Sequence, residues 1–377
     1  MQQGQTMTIT SLISTVGTSL KGNLLRLDTE ASQAYKNGDS IKTMHYLKSL
    51  APDARELGAE ITSIYSLMQR GILPKKPEQL VFLVSDTDDG ILTGSILVAY
   101  YKSCYGIADV RYEVCTGLRD DDVERFRGEG LRNLVRKLAQ HVRSRGADTT
   151  AINATGGYKA QILFAGVAGQ VMKVLVYYKH EFFDEIIALP PLPVAFDMEL
   201  WLGCIADFMH LERNDLVDAA DIADLARREQ ASSLIDMQTI DGREMAALTP
   251  AGQIFHEGFV QRFHFSRKSL TPPASALSPD QKEFREEGGA PTDRPPGIKN
   301  LVSRFFGHPC ISGAFSWYYN PDLPEKNRLM PDARTSPDGI TLVYSDGSAT
   351  AKVTLKTTAT SPEQQSALIA ELYSLLP

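Results

Sequence analysis

Hydrophobic and polar positions along residues 1–192 follow two alternating patterns. Near-continuous apolar runs are typical of strands that are buried on both faces of a parallel sheet, and they occur at residues 80–86, 110–114 and 173–178. Between these runs, apolar residues recur at every third or fourth position, which predicts helices. The clearest helical face consists of Leu131, Val135, Leu138 and Val142. Strands that alternate with helices in this way predict an α/β fold with a Rossmann-like parallel sheet.

The pattern changes over residues 193–265, where the predicted helices are short. The candidate helices are residues 201–211, 220–228 and 230–238. An Asp-Gly turn follows at Asp241, and Pro250 stands at the start of another helix. Short helices combined with a small hairpin predict a winged helix.

Residues 266–297 are predicted to form a linker. Six prolines and a cluster of Glu and Gly residues lie between 271 and 297. A segment of this composition cannot bury enough apolar surface to order itself well. Such a linker would give the domain that follows it room to move.

Residues 298–377 regain regular patterns and predict a small α+β domain. Apolar spacing predicts a helix at 298–306. An Asp-Gly turn between alternating runs at 340–344 and 350–356 predicts a β-hairpin. Ser361 is placed to cap a terminal amphipathic helix.

Composition narrows the classes of function. The chain has 39 Lys and Arg against 46 Asp and Glu, a net charge of −7 that argues against a nucleic-acid coat but allows a local basic site. Four cysteines without a C-x-x-C pair argue against a disulfide framework and a cysteine zinc site, so no metal is expected. Without a signal peptide or an apolar run of 18 residues, a cytoplasmic protein with no membrane partner is expected.

Three loops that follow strands of the first domain are rich in Gly, Ser, Thr and Asp. They contain Gly17-Thr18-Ser19, Asp86-Thr87 and Thr155-Gly156-Gly157-Tyr158-Lys159. Loops at the carboxyl ends of parallel strands converge on one crevice. There, glycines let a ligand approach the backbone, and helix N-termini offer free N–H groups to phosphate. Lys159 adds a positive charge and Tyr158 a stacking face, whereas no G-x-x-x-x-G-K-[ST] motif of a P-loop is present.

The motifs ISTVGTSLKGN (13–23), LVSDTDDGILTG (83–94) and NATGGYKA (153–160) resemble the CARF family over residues 8–192. CARF domains are Rossmann-like sensors of cyclic oligoadenylate in type III CRISPR systems. The resemblance implies a homodimer that binds one cyclic oligoadenylate, preferably cyclic tetra-adenylate, across its two-fold axis as an allosteric activator rather than a cofactor. The ligand-binding residues that it implies are Gly17, Thr18, Ser19, Asp86, Thr87, Thr155, Gly156, Gly157 and Lys159. Whether the domain also degrades its activator stays open.

Nuclease motifs can be compared with the C-terminal part of the chain. A HEPN ribonuclease requires R-x4–6-H, whereas Arg304 and His308 are spaced R-x3-H. A PD-(D/E)xK nuclease requires an acid pair and a lysine on adjacent strands, whereas Asp280 and Lys282 lie in the predicted linker. The order of a helix, a basic connecting segment, a hairpin with lysines and a final helix resembles instead a RelE-like ribonuclease domain at 298–377.

The RelE-like resemblance implies that mRNA is cleaved on the ribosome without a metal ion, by attack of a ribose 2′-hydroxyl on its own 3′-phosphate. Enzymes of this type rely on Arg, Lys and Tyr side chains. The candidate catalytic residues are Arg328, Arg334, Lys352, Lys356 and His308. Lys352 and Lys356 are four residues apart on a predicted strand and therefore share a face.

The sequence LTPAGQIF (248–255) resembles the winged helix that often follows CARF. Together, the resemblances imply a cyclic oligoadenylate-activated effector of CRISPR antiviral defence that cleaves ribosome-bound mRNA and so inhibits translation. The alternative is a ligand-responsive transcription regulator, in which CARF and the winged helix act and residues 298–377 bind a partner.

Overall fold

A computed structural model describes residues 9–27, 29–180, 185–192 and 198–377, without the side chains of 198 and 262–269. The predicted domain boundary at 192/193 borders residues that lie outside this description. The chain divides into two compact units. The first comprises Met1–Ala195 and Thr249–Gln261, and the second comprises Phe196–Leu248 and Arg262–Pro377.

The first unit contains the six-stranded sheet that the apolar runs predict. Its strands are β1 (Ser11–Thr15), β2 (Gln79–Ser85), β3 (Asp109–Cys115), β4 (Thr150–Asn153), β5 (Leu175–Lys179) and β6 (Ile186–Leu189). The strand order is β3-β2-β1-β4-β5-β6, and all pairs are parallel except β5–β6. Every residue of β2 is buried, as expected for a central parallel strand. The predicted Rossmann-like α/β sheet is confirmed.

Eight helices lie before, between and after these strands among the described residues of 1–195. They are α1 (Ser19–Leu25), α2 (Glu30–Lys36), α3 (Ser40–Lys48), α4 (Gly58–Gln69), α5 (Asp88–Tyr105), α6 (Val123–Arg125), α7 (Leu131–Arg145) and α8 (Lys159–Met172). The buried faces of α4 and α7 match the predicted apolar spacing. The second glycine-containing loop is shorter than the motif 83–94 suggests, because Thr87 Oγ1 accepts the Gly90 N–H at 3.1 Å and so begins α5 at Asp88.

The second unit begins with short helices and a three-stranded sheet. Its elements here are α9 (Met198–Gly203), α10 (Ile205–Asn214), β7 (Val217–Asp218), α11 (Ala223–Ala226), β8 (Ile235–Ile240) and β9 (Arg243–Leu248). The next helix, α12 (Pro250–Leu270), begins in the segment assigned to the first unit and ends in the second. The sheet order is β7-β9-β8. The helix predicted over 230–238 is wrong, because Asp241 and Gly242 adopt positive φ angles of 50° and 76° and turn this segment into a β-hairpin.

The C-terminal part of the second unit is a five-stranded sheet with helices. Its elements are β10 (Phe284–Glu286), α13 (Ile298–Phe306), β11 (Ile311–Asn320), β12 (Arg328–Pro331), β13 (Gly339–Ser345), β14 (Thr350–Thr357) and α14 (Pro362–Leu372). The order is β10-β11-β14-β13-β12, with only β10–β11 parallel among the pairs described. The predicted helix, hairpin and Ser361-capped terminal helix are confirmed, whereas β10, β11 and β12 add three strands to the predicted hairpin.

The segment predicted to be a poorly ordered linker contains structure. β10 pairs with β11, and the Ala314 N–H donates to the Glu283 carbonyl at 2.9 Å. The nearby Lys282 is only 7% exposed, and its Nζ donates to the carbonyls of Phe306 (2.6 Å) and His308 (2.9 Å). Composition alone misses this order because backbone pairing with a distant strand compensates for the scarcity of apolar side chains.

Residues 198–248 share the second unit with the C-terminal sheet. Arg328 forms an ion pair with Asp221, and Arg213 donates to the Pro377 carbonyl. This grouping differs from the predicted arrangement, in which a linker separates two domains and leaves the last one free to move. The physical reason is that α10 packs on α14 and β12, so the two segments share a core.

Candidate functional site

The carboxyl ends of β1 and β4 bring two glycine-containing loops together in the first unit. β1 lies between β2 and β4, the position in an α/β sheet where loops diverge to opposite faces and leave a crevice. A Cβ placed on Gly17 would overlap the backbone nitrogen of Gly157 and lie 3.1 Å from its Cα. Thr15 Oγ1 donates to the Gly156 carbonyl and fixes this approach. Two of the three predicted loops therefore form one surface.

Glu60, which sequence reasoning missed, lies buried beneath both glycine-containing loops. Its Oε1 accepts the Gly17 N–H at 2.7 Å, and its Oε2 accepts the Ser19 hydroxyl at 3.2 Å. Burial raises the pKa of this carboxyl, and these hydrogen bonds offset only part of the rise. A Cβ on Gly156 would overlap Oε1, so this position requires glycine. The only sequence signal is a carboxylate among the apolar positions of α4.

Two predicted ligand residues have their hydroxyls committed within the loops. Thr155 Oγ1 donates to Asn153 Oδ1 at 2.7 Å and accepts the Lys179 N–H at 3.0 Å. Besides its bond to Glu60, Ser19 Oγ accepts the Ala59 N–H at 2.9 Å. These hydroxyls therefore help to hold the loops in shape.

The third loop is fixed by its own hydrogen bonds. Asp86 Oδ2 accepts the Gly117 N–H at 2.9 Å, which ties the end of β2 to the segment after β3. Thr87 is the N-cap of α5 and also hydrogen-bonds to Ser85 Oγ at 2.9 Å. Both residues remain partly exposed.

Thr18 and Lys159 are exposed members of the predicted ligand set. Lys159 is the first residue of α8, where backbone N–H groups of the first turn point outward. Tyr158 is the N-cap of this helix, and its ring makes an edge contact with Phe126 at a centroid distance of 5.3 Å. A lysine, a helix N-terminus and an aromatic ring thus lie together at one edge of the crevice, a combination suited to a phosphate with an attached base.

A different kind of surface lies in the second unit, on the side of the five-stranded sheet opposite α13 and α14. The register places Lys352, Thr354 and Lys356 of β14 on one face. Aromatic residues of β11 are their neighbours, with Phe315 opposite Thr354 and Tyr318 opposite Lys352. We call this surface the aromatic–cationic face; its members are Phe315, Trp317, Tyr318, Arg334, Lys352 and Lys356.

The cations of this face lie over its aromatic rings. Arg334 Cζ is 3.7 Å from the centre of the Trp317 ring. Lys352 Nζ is 5.1 Å from the Tyr318 ring centre, and Lys356 Nζ is 5.5 Å from that of Phe315. Such contacts are favourable when an aromatic face meets a cation. Three of the five predicted catalytic residues are thereby brought together.

The register places Arg328 on the same face as Lys352, but the structure holds its side chain in ion pairs. Its side chain is 14% exposed, pairs with Asp221, and lies 3.4 Å from Glu325. It lines a cavity of about 260 Å³ together with Asp207 and His210. Glu325 also pairs with Lys352 at 3.1 Å. The contacts of Arg328 are therefore those of an interior structural ion pair.

The structure places His308 on the helical side of the sheet. Its Nε2 lies 3.1 Å from Glu371 on α14, and its Nδ1 accepts the Cys310 N–H at 3.3 Å. The side chain is 16% exposed. These contacts join the end of α13 to α14, so His308 is not brought to the aromatic–cationic face.

Asp332 is a second residue that the sequence did not single out. It is 2% exposed, and its carboxylate accepts hydrogen bonds from Arg334 and from Thr354. Burial opposes its ionisation, but the hydrogen bonds from Arg334 and Thr354 outweigh burial and lower its pKa below the usual value. An ionised carboxylate thus lies beneath the aromatic–cationic face.

Within the described residues, no group of three or more His, Cys, Asp and Glu side chains could hold a metal ion. Over the same residues, no helix has both the length and the apolar character needed to cross a membrane.

The chain is similar to known proteins in structure and, over part of its length, in sequence. Among solved structures, the chain is similar to Can2 from Sulfobacillus thermosulfidooxidans in complex with cyclic tetra-adenylate (cA4). The sequence identity is 9% and the TM-score 0.26, over 71% of this chain and 68% of that chain. Residues 55–192 match the model of a family described as CRISPR-associated protein (Cas_APE2256). The segment that matches this CRISPR-associated family includes α4, which carries Glu60, and the loop from Thr155 to Lys159.

Proposed function

We propose that the chain is an effector of type III CRISPR defence that a cyclic oligoadenylate activates to cleave RNA. The observation that carries the proposal is the meeting of the β1 and β4 loops, in which Gly17 approaches Gly157 and Lys159 begins α8. The crevice combines a close approach of two backbone segments, a helix N-terminus and one exposed cation. These features suit a ligand with several phosphodiester groups, each of which carries a single negative charge. The similarity of residues 55–192 to a CRISPR-associated family supports the biological setting.

The ligand that fits best is cyclic tetra-adenylate bound by a homodimer. A ring with rotational symmetry matches an interface in which two copies present the same surface. The outer side of α8 supports such pairing, because Leu163 and Val167 are 63% and 43% exposed on the helix that begins at Lys159. Apolar side chains beside a ligand-binding loop would be buried by a second copy.

The aromatic–cationic face is the proposed site of RNA cleavage. In the reaction, the 2′-oxygen bonds to the adjacent phosphorus, the bond from phosphorus to the 5′-oxygen breaks, a base takes the 2′-hydroxyl proton, and the leaving 5′-oxygen gains a proton. The phosphorane formed on the way carries more negative charge than the diester, so Arg334, Lys352 and Lys356 would stabilise it selectively. Messenger RNA presented by a ribosome is the proposed substrate.

Residues 198–248 are proposed to act as a winged-helix scaffold between sensing and cleavage. The support is that this segment reaches the C-terminal sheet through the ion pair of Asp221 with Arg328, while Glu325 contacts both Arg328 and Lys352. A shift of the scaffold would therefore reach the environment of Lys352. For this to be allosteric regulation, the activator must bind two states of the dimer with different affinity.

The proposal is tested by calorimetry with cyclic tetra-adenylate and by single-turnover cleavage of a ribosome-bound mRNA. We expect saturable binding, ligand-dependent cleavage and products that end in a 2′,3′-cyclic phosphate or 3′-phosphate. Products with a 3′-hydroxyl would contradict the 2′-oxygen mechanism. Absence of binding would contradict the assignment of the loop crevice.

A further inference from the structure

Arg334 is held more tightly than an exposed arginine needs to be. Its Nε–H donates to Asp332 Oδ1 at 3.2 Å, and Nη2 donates to Asp332 Oδ2 at 3.0 Å, so the pair is bidentate. Nη2 also donates to the Thr354 hydroxyl at 2.6 Å. Thr354 is fully buried and Asp332 nearly so. One edge of the guanidinium is therefore fixed from below.

A second contact of the guanidinium is with the ring of Trp317. The guanidinium carbon Cζ lies over the indole ring, 3.7 Å from its centre, and Trp317 is the residue at which the β11–β14 register shifts. A β-bulge redirects the side chain that it carries. The Phe315 ring centre lies 5.7 Å from Cζ, a looser contact than that with Trp317. The Arg334 side chain is nevertheless 43% exposed, and Nη1 has no hydrogen-bond partner among the described residues. The exposed part of the guanidinium and the two Nη1 N–H groups are therefore left available.

We propose that Asp332 and Trp317 hold Arg334 as a stacking platform for a nucleobase of single-stranded RNA, with the Nη1 N–H groups directed to the neighbouring phosphate. This inference rests on the proposed RNA-cleaving function and identifies a binding subsite for its substrate. Arginine planes stack well on both indole and nucleobases, because the guanidinium is flat, delocalised and weakly hydrated. A base above Arg334 would complete a three-layer stack of indole, guanidinium and base.

The platform also accounts for the difference between Arg334 and its neighbours on the same face. Lys352 and Lys356 lie above rings at more than 5 Å and carry compact charges that can follow a phosphate as it changes shape. Arg334, in contrast, is restrained on one edge and one plane, which reduces the entropy that it loses when a base stacks on it. The lysines are thus suited to charge and Arg334 to position.

Binding of an uncleavable probe separates this inference from catalysis. The probe is a short single-stranded 2′-O-methyl RNA, used intact and with one abasic position scanned along it, and it is titrated against the full-length protein. The chain has two tryptophans, Trp201 and Trp317, so a Trp201→Phe background lets fluorescence report on Trp317 alone. Binding should change this fluorescence whether or not the protein cleaves RNA.

The decisive variant is Arg334→Lys, which keeps the charge but removes the plane. We expect it to bind the intact probe about tenfold more weakly, the scale of losing one stacked base. It should bind the probe that is abasic at the contacted position as the parent does. Asp332→Asn should lower the affinity for the intact probe in the same direction, and Lys299→Ala, an exposed cation on α13, should have no effect.

Two outcomes would overturn the platform. One is equal affinity of the parent and Arg334→Lys for the intact probe; the other is an equal loss for intact and abasic probes, which would show a phosphate contact only. If Asp332→Asn unfolds, Trp317→Phe serves in its place, because it keeps a smaller ring beneath the guanidinium and should lower affinity only in part. This variant lacks the tryptophan reporter, so its binding is followed by the anisotropy of a fluorescein-labelled probe and compared with the parent measured in the same way. A protein that binds the probe as expected but cleaves no RNA would keep the platform and contradict the proposed function.

Discussion

The two candidate sites differ in whether backbone or side chains form them. The crevice of the first unit is formed by backbone: Gly17 and Gly157 touch, and a buried carboxylate, Glu60, holds the first loop through a backbone N–H. The aromatic–cationic face is formed by side chains that project from a regular sheet, with Arg334 over Trp317 as its most restrained pair. A backbone crevice selects a ligand by shape, whereas a face of charges and rings acts on a substrate through electrostatics and stacking.

Gly156→Ala is the most severe test of the crevice that the backbone forms. The added methyl would overlap Glu60 Oε1 and lie 3.1 Å from the Gly17 backbone nitrogen, so the carboxylate that holds the Gly17 loop would have to shift. We expect a loss of affinity for cyclic tetra-adenylate of 10²-fold or more by calorimetry, since misplacement by about 1 Å has effects of this size. Gly22→Ala is the matched control, because its methyl meets no atom within 4 Å. Equal affinities for the two variants would contradict a crevice shaped by backbone.

The aromatic–cationic face should respond to loss of charge. Arg334→Ala and Lys352→Ala are each expected to slow single-turnover RNA cleavage by about 10²-fold, the scale of losing one preorganised donor to a developing charge. Binding of cyclic tetra-adenylate should be unchanged. Lys299→Ala is the control and should alter the rate less than about threefold, as for other exposed substitutions. Wild-type rates in both test variants would move the catalytic centre elsewhere.

A single charge matters less in the crevice than its shape. Lys159→Ala removes an exposed cation from the first turn of α8 without changing the loop. Loss of one charge-assisted contact costs about 1.5–3 kcal/mol, which corresponds to about 10- to 100-fold in affinity. Lys102→Ala, an exposed lysine near the end of α5, should bind as the wild type does. An unchanged affinity of Lys159→Ala would exclude this lysine from the ligand contacts.

The scaffold of the second unit should have a pH dependence of its own. Burial raises the pKa of Asp207 to about 6, although its Oδ2 accepts the Leu225 N–H at 2.8 Å. Between pH 4 and 6 the folded state holds a proton that the unfolded state has released, so this group's contribution to stability falls as pH rises through that window. Above pH 6 the full cost of the buried charge is present.

Asp207→Asn removes that cost while its amide oxygen can still accept the Leu225 N–H. We expect the variant to be more stable than the wild type at pH 7.5, by about 3 kcal/mol at most, and equally stable at pH 4. Denaturant unfolding followed by tryptophan fluorescence reports on this unit, which contains both tryptophans. Glu229→Gln, at an exposed carboxylate, should show no such difference. A stability gain that is the same at both pH values would refute a titrating Asp207.

Local signals predicted much of the fold because they depend on neighbours in sequence. Apolar runs identify β2 and β5, helical spacing identifies α7, and the Asp-Gly turn at 346 identifies the β13–β14 hairpin. β11 was not predicted, because two irregularities in its pairing with β14 disrupt the alternation of its side chains between the two faces of the sheet. The helix predicted over 230–238 failed because a turn immediately after it decides the conformation.

Only the site residues that belong to sequence motifs could be predicted. Glycines and Lys159 follow from the loop motifs, but Glu60 depends on contacts with residues more than 40 positions away. Similarly, the sequence alone does not distinguish the surroundings of Arg328 from those of Arg334. Their roles diverge because Asp221, 107 positions from Arg328, pairs with one of them, whereas a tryptophan at a bulge receives the other.

We propose that a ligand bound by the backbone crevice controls chemistry at the aromatic–cationic face. The most direct measurement is single-turnover cleavage of a ribosome-bound mRNA, with and without saturating cyclic tetra-adenylate, for the wild type, Gly156→Ala and Arg334→Ala. We predict ligand-dependent cleavage by the wild type only, with ligand binding retained in Arg334→Ala and lost in Gly156→Ala. Cleavage by the wild type at the same rate without the ligand would contradict control by the crevice. Ligand-stimulated cleavage by Arg334→Ala at the wild-type rate would contradict a catalytic role of the aromatic–cationic face.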